Sequence, residues 1–272
     1  MDERNRRSHA PQPYGWVREF MEHFRFSIAT DHDSRYRAYA LRHKVFREEL
    51  RYNLGDNRDA PFENDAHDQH AILCLLRHVA SQVDSGCLRV VVIPPDAQGV
   101  ESMLPLEEHC GHSLHESEQQ PSRFARSTIC EVSRLAVHPA FRRHRNNVID
   151  INEDAAGAPA ASPGVPADPL VTVSLFLAAT AVVGLSGRRH VFAMMEPRFA
   201  RLLKVSGLNF RQIGKVIDYC GPRAAYYIDQ RQAEREMHPH LVPLYQHIRQ
   251  SLAHQLPRAM PGALDDAAAR PG

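Results

Sequence analysis

The chain has 272 residues, enough for one large domain or two small ones, and its 43% apolar and 24% charged residues fall in the ordinary globular range. Its 33 Lys and Arg against 32 Asp and Glu leave a net charge of +1, which argues against a dedicated nucleic-acid binder. The five cysteines (Cys74, Cys87, Cys110, Cys130, Cys220) are odd in number and include no Cys-x-x-Cys pair, so neither a disulfide framework nor a zinc ribbon is indicated.

Residues 1–15 are polar and contain no apolar run, which excludes a secretory signal and predicts a disordered start. Residues 24–29 read as a short strand. Residues 33–50 carry Tyr36, Tyr39, Ala40, Val45, Phe46 and Leu50 at helical spacing, with Asp31 or Asp33 as N-cap. Two β-type runs follow at 71–79 and 88–93, with Asp84-Ser85-Gly86 between them as a turn signal, and another strand is expected at 128–137. Small residues and proline fill 146–168, which predicts a disordered insertion within one domain. The Ala-rich run 170–185 reads as a buried helix. Thr172, Ser174, Thr180 and Ser186, together with its marginal length, argue against a membrane span.

A strand at 191–195 leads into a helix at 197–205, opened by Pro197 and ended by Gly207. Strands at 210–219 and 224–228 precede a polar, exposed closing helix over 231–256, broken early by Pro239 and Pro243. Residues 258–272 are expected to form a disordered tail. The result is a single domain over 16–257, in which strands alternating with helices predict an α+β fold with one mixed sheet.

Several residues then occur in a suggestive order. Arg42, Phe46 and Tyr52 mark the first helix, Asp65 and Asp68 form an Asp-x-x-Asp pair, Gly86 and Arg89 lie on a strand, and Glu131-Val132-Ser133-Arg134 lies on another. This order resembles the acyl-homoserine-lactone synthases and their N-acyl amino acid synthase relatives over roughly residues 35–220, most of all the acyltransferases associated with PEP-CTERM/exosortase systems. Tyr52 stands where the lactone makers commonly have tryptophan. The resemblance implies the GNAT fold, with a bulged central strand at the reaction cleft. It also implies an enzyme that transfers a long acyl chain from an acyl-carrier-protein thioester to the amine of an amino acid.

In that reading Glu131, Ser133 and Arg134 are catalytic, with Glu131 accepting the amine's proton. Arg42, Phe46, Asp65, Asp68 and Arg89 bind the acceptor or form an ion-pair network, and the two roles are compatible. CoA-using GNAT proteins cradle the pyrophosphate in a glycine-rich turn, but the run from His138 to Asn147 has no glycine. Acyl carrier protein is therefore the expected partner, met by Arg142, Arg143 and Arg145, and acyl-phosphopantetheine is the donor with no resident cofactor. Phe176, Ala178, Ala179 and residues 191–195 are candidates for an acyl slot. His109, Cys110, His112 and His115 read as a flexible surface without a metal, and Cys130 is not expected to be a nucleophile. No nucleic-acid partner and no membrane insertion are expected, and the expected compartment is the cytoplasm. A lactone synthase using S-adenosylmethionine and a binding module without turnover remain as alternatives.

Overall fold

The computed structural model describes residues 15–52, 59–142 and 169–256. The segments expected to be disordered lie outside them, apart from Gly15.

Helix α1 (Gly15–His23) runs directly into strand β1 (Phe24–Ile28). Helix α2 (His32–Arg42) starts at Asp31, whose carboxylate accepts from the Ser34 N–H at 2.7 Å while Ser34 Oγ accepts from the Asp31 N–H. The helix widens into a π-turn, His43–Glu49, where the Leu50 N–H reaches back to the Val45 carbonyl. Strands β2 (Ala71–His78) and β3 (Asp84–Val92) follow, and then a short helix α3 (Pro105–Cys110) and strand β4 (Ile129–Val137). After β4 come α4 (Pro169–Leu185), β5 (His190–Met195) and α5 (Pro197–Val205). Strands β6 (Arg211–Gln212), β7 (Ile217–Asp218) and β8 (Pro222–Asp229) then lead to helices α6 (Gln230–Glu236) and α7 (Val242–Ala253).

The strands form one mixed sheet in the order β1-β2-β3-β4-β5-β8-β6, with β7 paired to β8. Period-two alternation divides the core. Ile72, Cys74, Leu76, Leu88 and Val90 face the cluster that contains α4 and α7, while Leu73, Leu75, Cys87 and Val91 face α2.

Two irregularities shape the middle of the sheet. Cys87 pairs with Ala136 and Arg89 with Ser133, so Leu88 alone faces Arg134 and Leu135. This is a β-bulge, and Arg134 takes φ 52 within it. The second is a separation of strands. β4 and β5 run parallel and pair only where Ile129–Glu131 meets His190–Phe192, then part.

Four sequence expectations need correction. The β2–β3 turn lies at residues 79–83, and Asp84-Ser85-Gly86 belongs to β3, because the Ser85 hydroxyl and the β4 ladder hold that segment extended. The strand expected over 210–219 is two short pieces, since residues 213–216 form only an isolated bridge to Leu114. The closing helix is not an exposed one: Leu244, Tyr245, Ile248 and Leu252 of α7 are buried against α4 and β1. The segment around His109 is an ordered helix with Cys110 buried in it. Helix α4 is a core helix as expected, and no described helix is long and apolar enough to cross a membrane.

Helix α4 approaches β3 closely at Gly86, where an added Cβ would stand 2.7 Å from Leu175 Cδ1 and 3.3 Å from the Ala136 carbonyl oxygen. Gly86→Val therefore forces α4 outward. The substitution should lower unfolding free energy by about 1–3 kcal/mol in a urea titration, whereas an unchanged midpoint would show that the contact is slack.

Candidate active site

Residues 63–65 and the 3₁₀ turn Ala66–His70 bring three carboxylates against three arginines from α2, β3 and β4. Arg42 bonds Glu63 through Nε at 2.5 Å and grips Asp68 with both terminal nitrogens at 2.7 and 3.0 Å. Arg89 reaches Asp65 at 2.5 Å and Asp68 at 3.3 Å, and its Nε donates to Ser133 Oγ at 3.1 Å. Arg134 bonds Glu63 at 3.0 Å and Asp65 at 2.9 Å. The six formal charges cancel.

Glu63 and Arg89 are fully buried, and Arg42 and Asp68 nearly so. Burial alone would raise the carboxylate pKa values, but the guanidiniums outweigh it. Arg42 and then Arg89 hold Asp68 far below the usual carboxylate range, and Glu63 and Asp65 are lowered in the same way. One network donor, Arg89 Nη2, is buried without a hydrogen-bond partner.

Where β4 parts from β5, a cavity of about 520 Å³ opens. Glu131, Ser133, Arg134 and Phe46 line it, while Arg42, Asp65, Asp68 and Arg89 do not. The last four reach the cavity only through Arg134 and Ser133, which they hold in place. Phe176 and Ala179 of α4 and Val191, Ala193, Met194 and Met195 of β5 form an apolar wall, whereas Ala178 is packed into the core. Arg142 also lines the cavity and is ion-paired with Glu49; Arg143 and Arg145 lie outside the described residues.

Glu131 is 2% exposed, and the only hydrogen bond its carboxylate receives among the described residues is from the Leu106 N–H, at 2.7 Å. Burial pushes its pKa up to about 7 against the partial opposition of that N–H and of Arg89 and Arg134. A carboxylate on a cavity wall that titrates near neutrality can both take up and release a proton there. From Val132 onward, the edge of β4 that faces β5 has no strand partner among the described residues, so main-chain N–H groups border the same space. The Cys130 thiol is fully buried and pushed up to about 12, which leaves it protonated and inert.

Two participants escape a reading of residue types. Glu63 lies two residues before Asp65, outside any periodic element, and only its pairing with Arg42 and Arg134 brings it into the network. The Leu106 N–H is a main-chain group and has no side-chain signature. Among the described residues, the group able to hold a metal ion is His67, Glu108 and His109, whose ligand atoms lie within 4.8 Å of one another. A 2.7 Å His67–Glu108 hydrogen bond already satisfies its buried member.

Because the network is neutral only as a set, Arg42→Met should leave three largely buried carboxylates to two arginines and destabilise the fold by roughly 3–5 kcal/mol. The native carboxylates have lowered pKa values, so their contribution is present above the ordinary carboxylate range and is lost as pH falls below about 4. Denaturant titrations of wild type at pH 7 and pH 3 should show that loss, and Arg42→Met should show a smaller pH dependence. Equal stability of wild type and variant at pH 7 would count against the network.

Residues 41–149 match the family model of the acetyltransferase (GNAT) domain. No curated protein matches the chain in sequence. Among solved structures, BjaI, a CoA-dependent acyl-homoserine lactone synthase solved with SAM and isopentyl-CoA, superposes with a TM-score of 0.56 at 16% identity, covering 83% of this chain and 89% of that one. FeeM, an N-acyl amino acid synthase from uncultured soil microbes, gives 0.53 at 15% identity, with 81% and 96% covered. The AHL synthase LasI gives 0.52 at 14%, with 76% and 90% covered. Likeness at such identities is one of fold. The bulged and splayed mixed sheet agrees with these superpositions and with the partial domain match in showing a GNAT-like α+β fold.

Proposed function

We propose that the protein is an N-acyltransferase that moves a long acyl chain from an acyl-carrier-protein thioester to the amine of an amino acid. The observation that carries this reading is Glu131, a buried carboxyl poised near neutral pH on the wall of a cavity whose other side is apolar. The acyl chain lies against Phe176, Ala179, Val191 and Met195, with its thioester carbonyl beside the unpaired edge of β4. The acceptor enters as an ammonium ion and gives up a proton to Glu131, directly or through one water. Its nitrogen then attacks the carbonyl carbon, and the carbonyl oxygen, now negative, is met by main-chain N–H donors of β4. That attack forms the C–N bond, and collapse of the tetrahedral intermediate breaks the C–S bond. The nitrogen's second proton passes to the departing thiolate, giving the carrier's free thiol and a neutral amide, and Glu131 releases the first proton to solvent.

The donor assignment rests on the missing glycine-rich turn after β4 and on the basic run that begins at Arg142. Arg42, Asp65, Asp68 and Arg89 serve this site by positioning Arg134 and Ser133. Two of the fold relatives are acyl-homoserine lactone synthases, and assays supplying S-adenosylmethionine in place of amino acids, with lactone detected by mass spectrometry, separate that chemistry from amide formation.

Glu131→Gln keeps an acceptor for the Leu106 N–H but cannot take a proton. Turnover should fall by roughly 10²–10⁴-fold, and the rise of the wild-type rate through about pH 7 should disappear. The stability effect has the opposite sign. The native carboxyl holds its proton to about pH 7 where an ordinary glutamate loses it near 4.5, so wild-type stability from this group declines between those values. At pH 8 the variant should therefore unfold no more easily than wild type. A variant with wild-type rate and pH profile would remove Glu131 from the reaction.

A further inference from the structure

Four described arginines line the cavity: Arg134, Arg142, Arg198 and Arg223. Three already face carboxylates. Arg134 is held by Glu63 and Asp65, Arg142 by Glu49, and Arg198 by Glu196 at 2.5 Å. Arg223 forms no ion pair among the described residues. Its Nε makes one long bond to the Cys220 carbonyl at 3.4 Å, and its guanidinium lies 5.8 Å from the centroid of the Tyr52 ring. Its terminal nitrogens, which form the fork suited to a carboxylate, have no acceptor among the described residues.

The setting of Arg223 is defined by the sheet. It is the second residue of β8 and pairs with Ile217 of β7, in a hairpin whose Tyr219 and Cys220 also line the cavity. Tyr52, carried out of the π-turn by the bond from its N–H to the Phe46 carbonyl at 2.7 Å, backs the guanidinium with its ring. A cation–π contact of this kind orients a guanidinium and leaves its edge available. Cys110 ties this corner to the base: burial and then Glu131 push its thiol up to about 11, while Arg223 pulls the other way. Both Glu131 and Arg223 thus act on a single side chain of the cavity wall.

An unmatched cation that lines the same cavity as the base calls for an anionic group on a molecule bound there. A donor phosphate would be separated from the thioester by the whole pantetheine arm, and the acyl chain is neutral. An α-amino acid carries its carboxylate one carbon away from the amine. Building on the acyl-transfer reading above, we propose that Arg223, oriented by Tyr52, binds the carboxylate of the acceptor, so that the enzyme selects amino acids over amines lacking that charge.

The test uses the full chain with long-chain acyl donors on both acyl carrier protein and CoA. A mixture of the twenty amino acids is offered, and mass spectrometry identifies the one acylated fastest. Its kcat/KM is then compared with those of its carboxamide and of the corresponding decarboxylated amine. The wild-type enzyme should prefer the acid, and Arg223→Met should reduce that preference by roughly 10- to 100-fold, chiefly through the KM of the acid, with donor KM unmoved. Arg223→Lys should retain part of the preference, because it keeps the charge and loses the fork. Unfolding midpoints of both variants check that the fold persists, and the selectivity ratio, taken within one variant, is independent of the active fraction. The proposal is overturned if wild type acylates acid, amide and amine alike, if Arg223→Met keeps the preference, or if its defect lies in donor KM. Absence of any acylated product with either donor would overturn the acyl-transfer reading itself, and the carboxylate proposal with it.

Discussion

The buried set of Arg42, Arg89 and Arg134 with Glu63, Asp65 and Asp68 is the interaction on which the site depends. It joins four separate pieces of chain: the end of α2, the segment 63–68, β3 and the bulge of β4. Each charge is removed from water at a penalty of several kcal/mol, which only dense, well-formed hydrogen bonds can offset. Such a set is weak evidence for overall stability. It is better evidence for specificity, since no other register of β4 against β3 would bring Arg134 to both Glu63 and Asp65.

That register carries its own strain. A non-glycine residue in the left-handed region is disfavoured by about 1–2 kcal/mol, and Arg134 occupies it at φ 52. In an unbroken strand Glu131 and Arg134 would point to opposite faces. The extra residue of the bulge allows both to reach the cavity wall, while the two bonds from Arg134 to the acidic segment hold the distortion in place. The bulge and the splay of β4 from β5 serve one end, which is to open polar main chain and Glu131 to a cavity whose α4 and β5 wall is apolar.

How much of this was legible in the sequence follows from the range of the physics involved. Strands β2 to β5 and helix α4 were visible because burial imposes a short period and the apolar runs obey it. The charged residues were visible by type and order, but not which of them would face a ligand and which would face each other. That depends on three-dimensional pairing, and Arg42 and Arg89 are consumed internally. The bulge left no trace in the residue pattern, since Ser133-Arg134-Leu135 is compatible with an ordinary strand, and it was expected only from the family resemblance. Residues 94–128 have no clear period because they are a series of 3₁₀ turns around α3, yet they supply the N–H that holds Glu131. In α7, Leu244, Ile248 and Leu252 do repeat every four residues, but the surrounding prolines and polar residues obscured a buried face.

The network and the proton-accepting group are also linked electrostatically. Arg89 and Arg134 both lower the pKa of Glu131, but among the described residues neither donates a hydrogen bond to it; both are drawn toward Asp65, Asp68, Glu63 and Ser133 instead, with Arg89 Nη2 left unpaired. Had either guanidinium been free to fork onto Glu131, the carboxylate would have been held ionised well below neutrality and would have been too weak a base for an ammonium ion. Had both been absent, burial with a single N–H would have kept the acid protonated to a higher pH. The pKa near 7 is thus a residue of compensation: two cations close enough to moderate desolvation, each already engaged by a stronger partner. Of the two acids that line the cavity, Glu196 is paired with Arg198, whereas Glu131 has no ion-pair partner among the described residues, and Glu63, Asp65 and Asp68 stand outside the cavity lining.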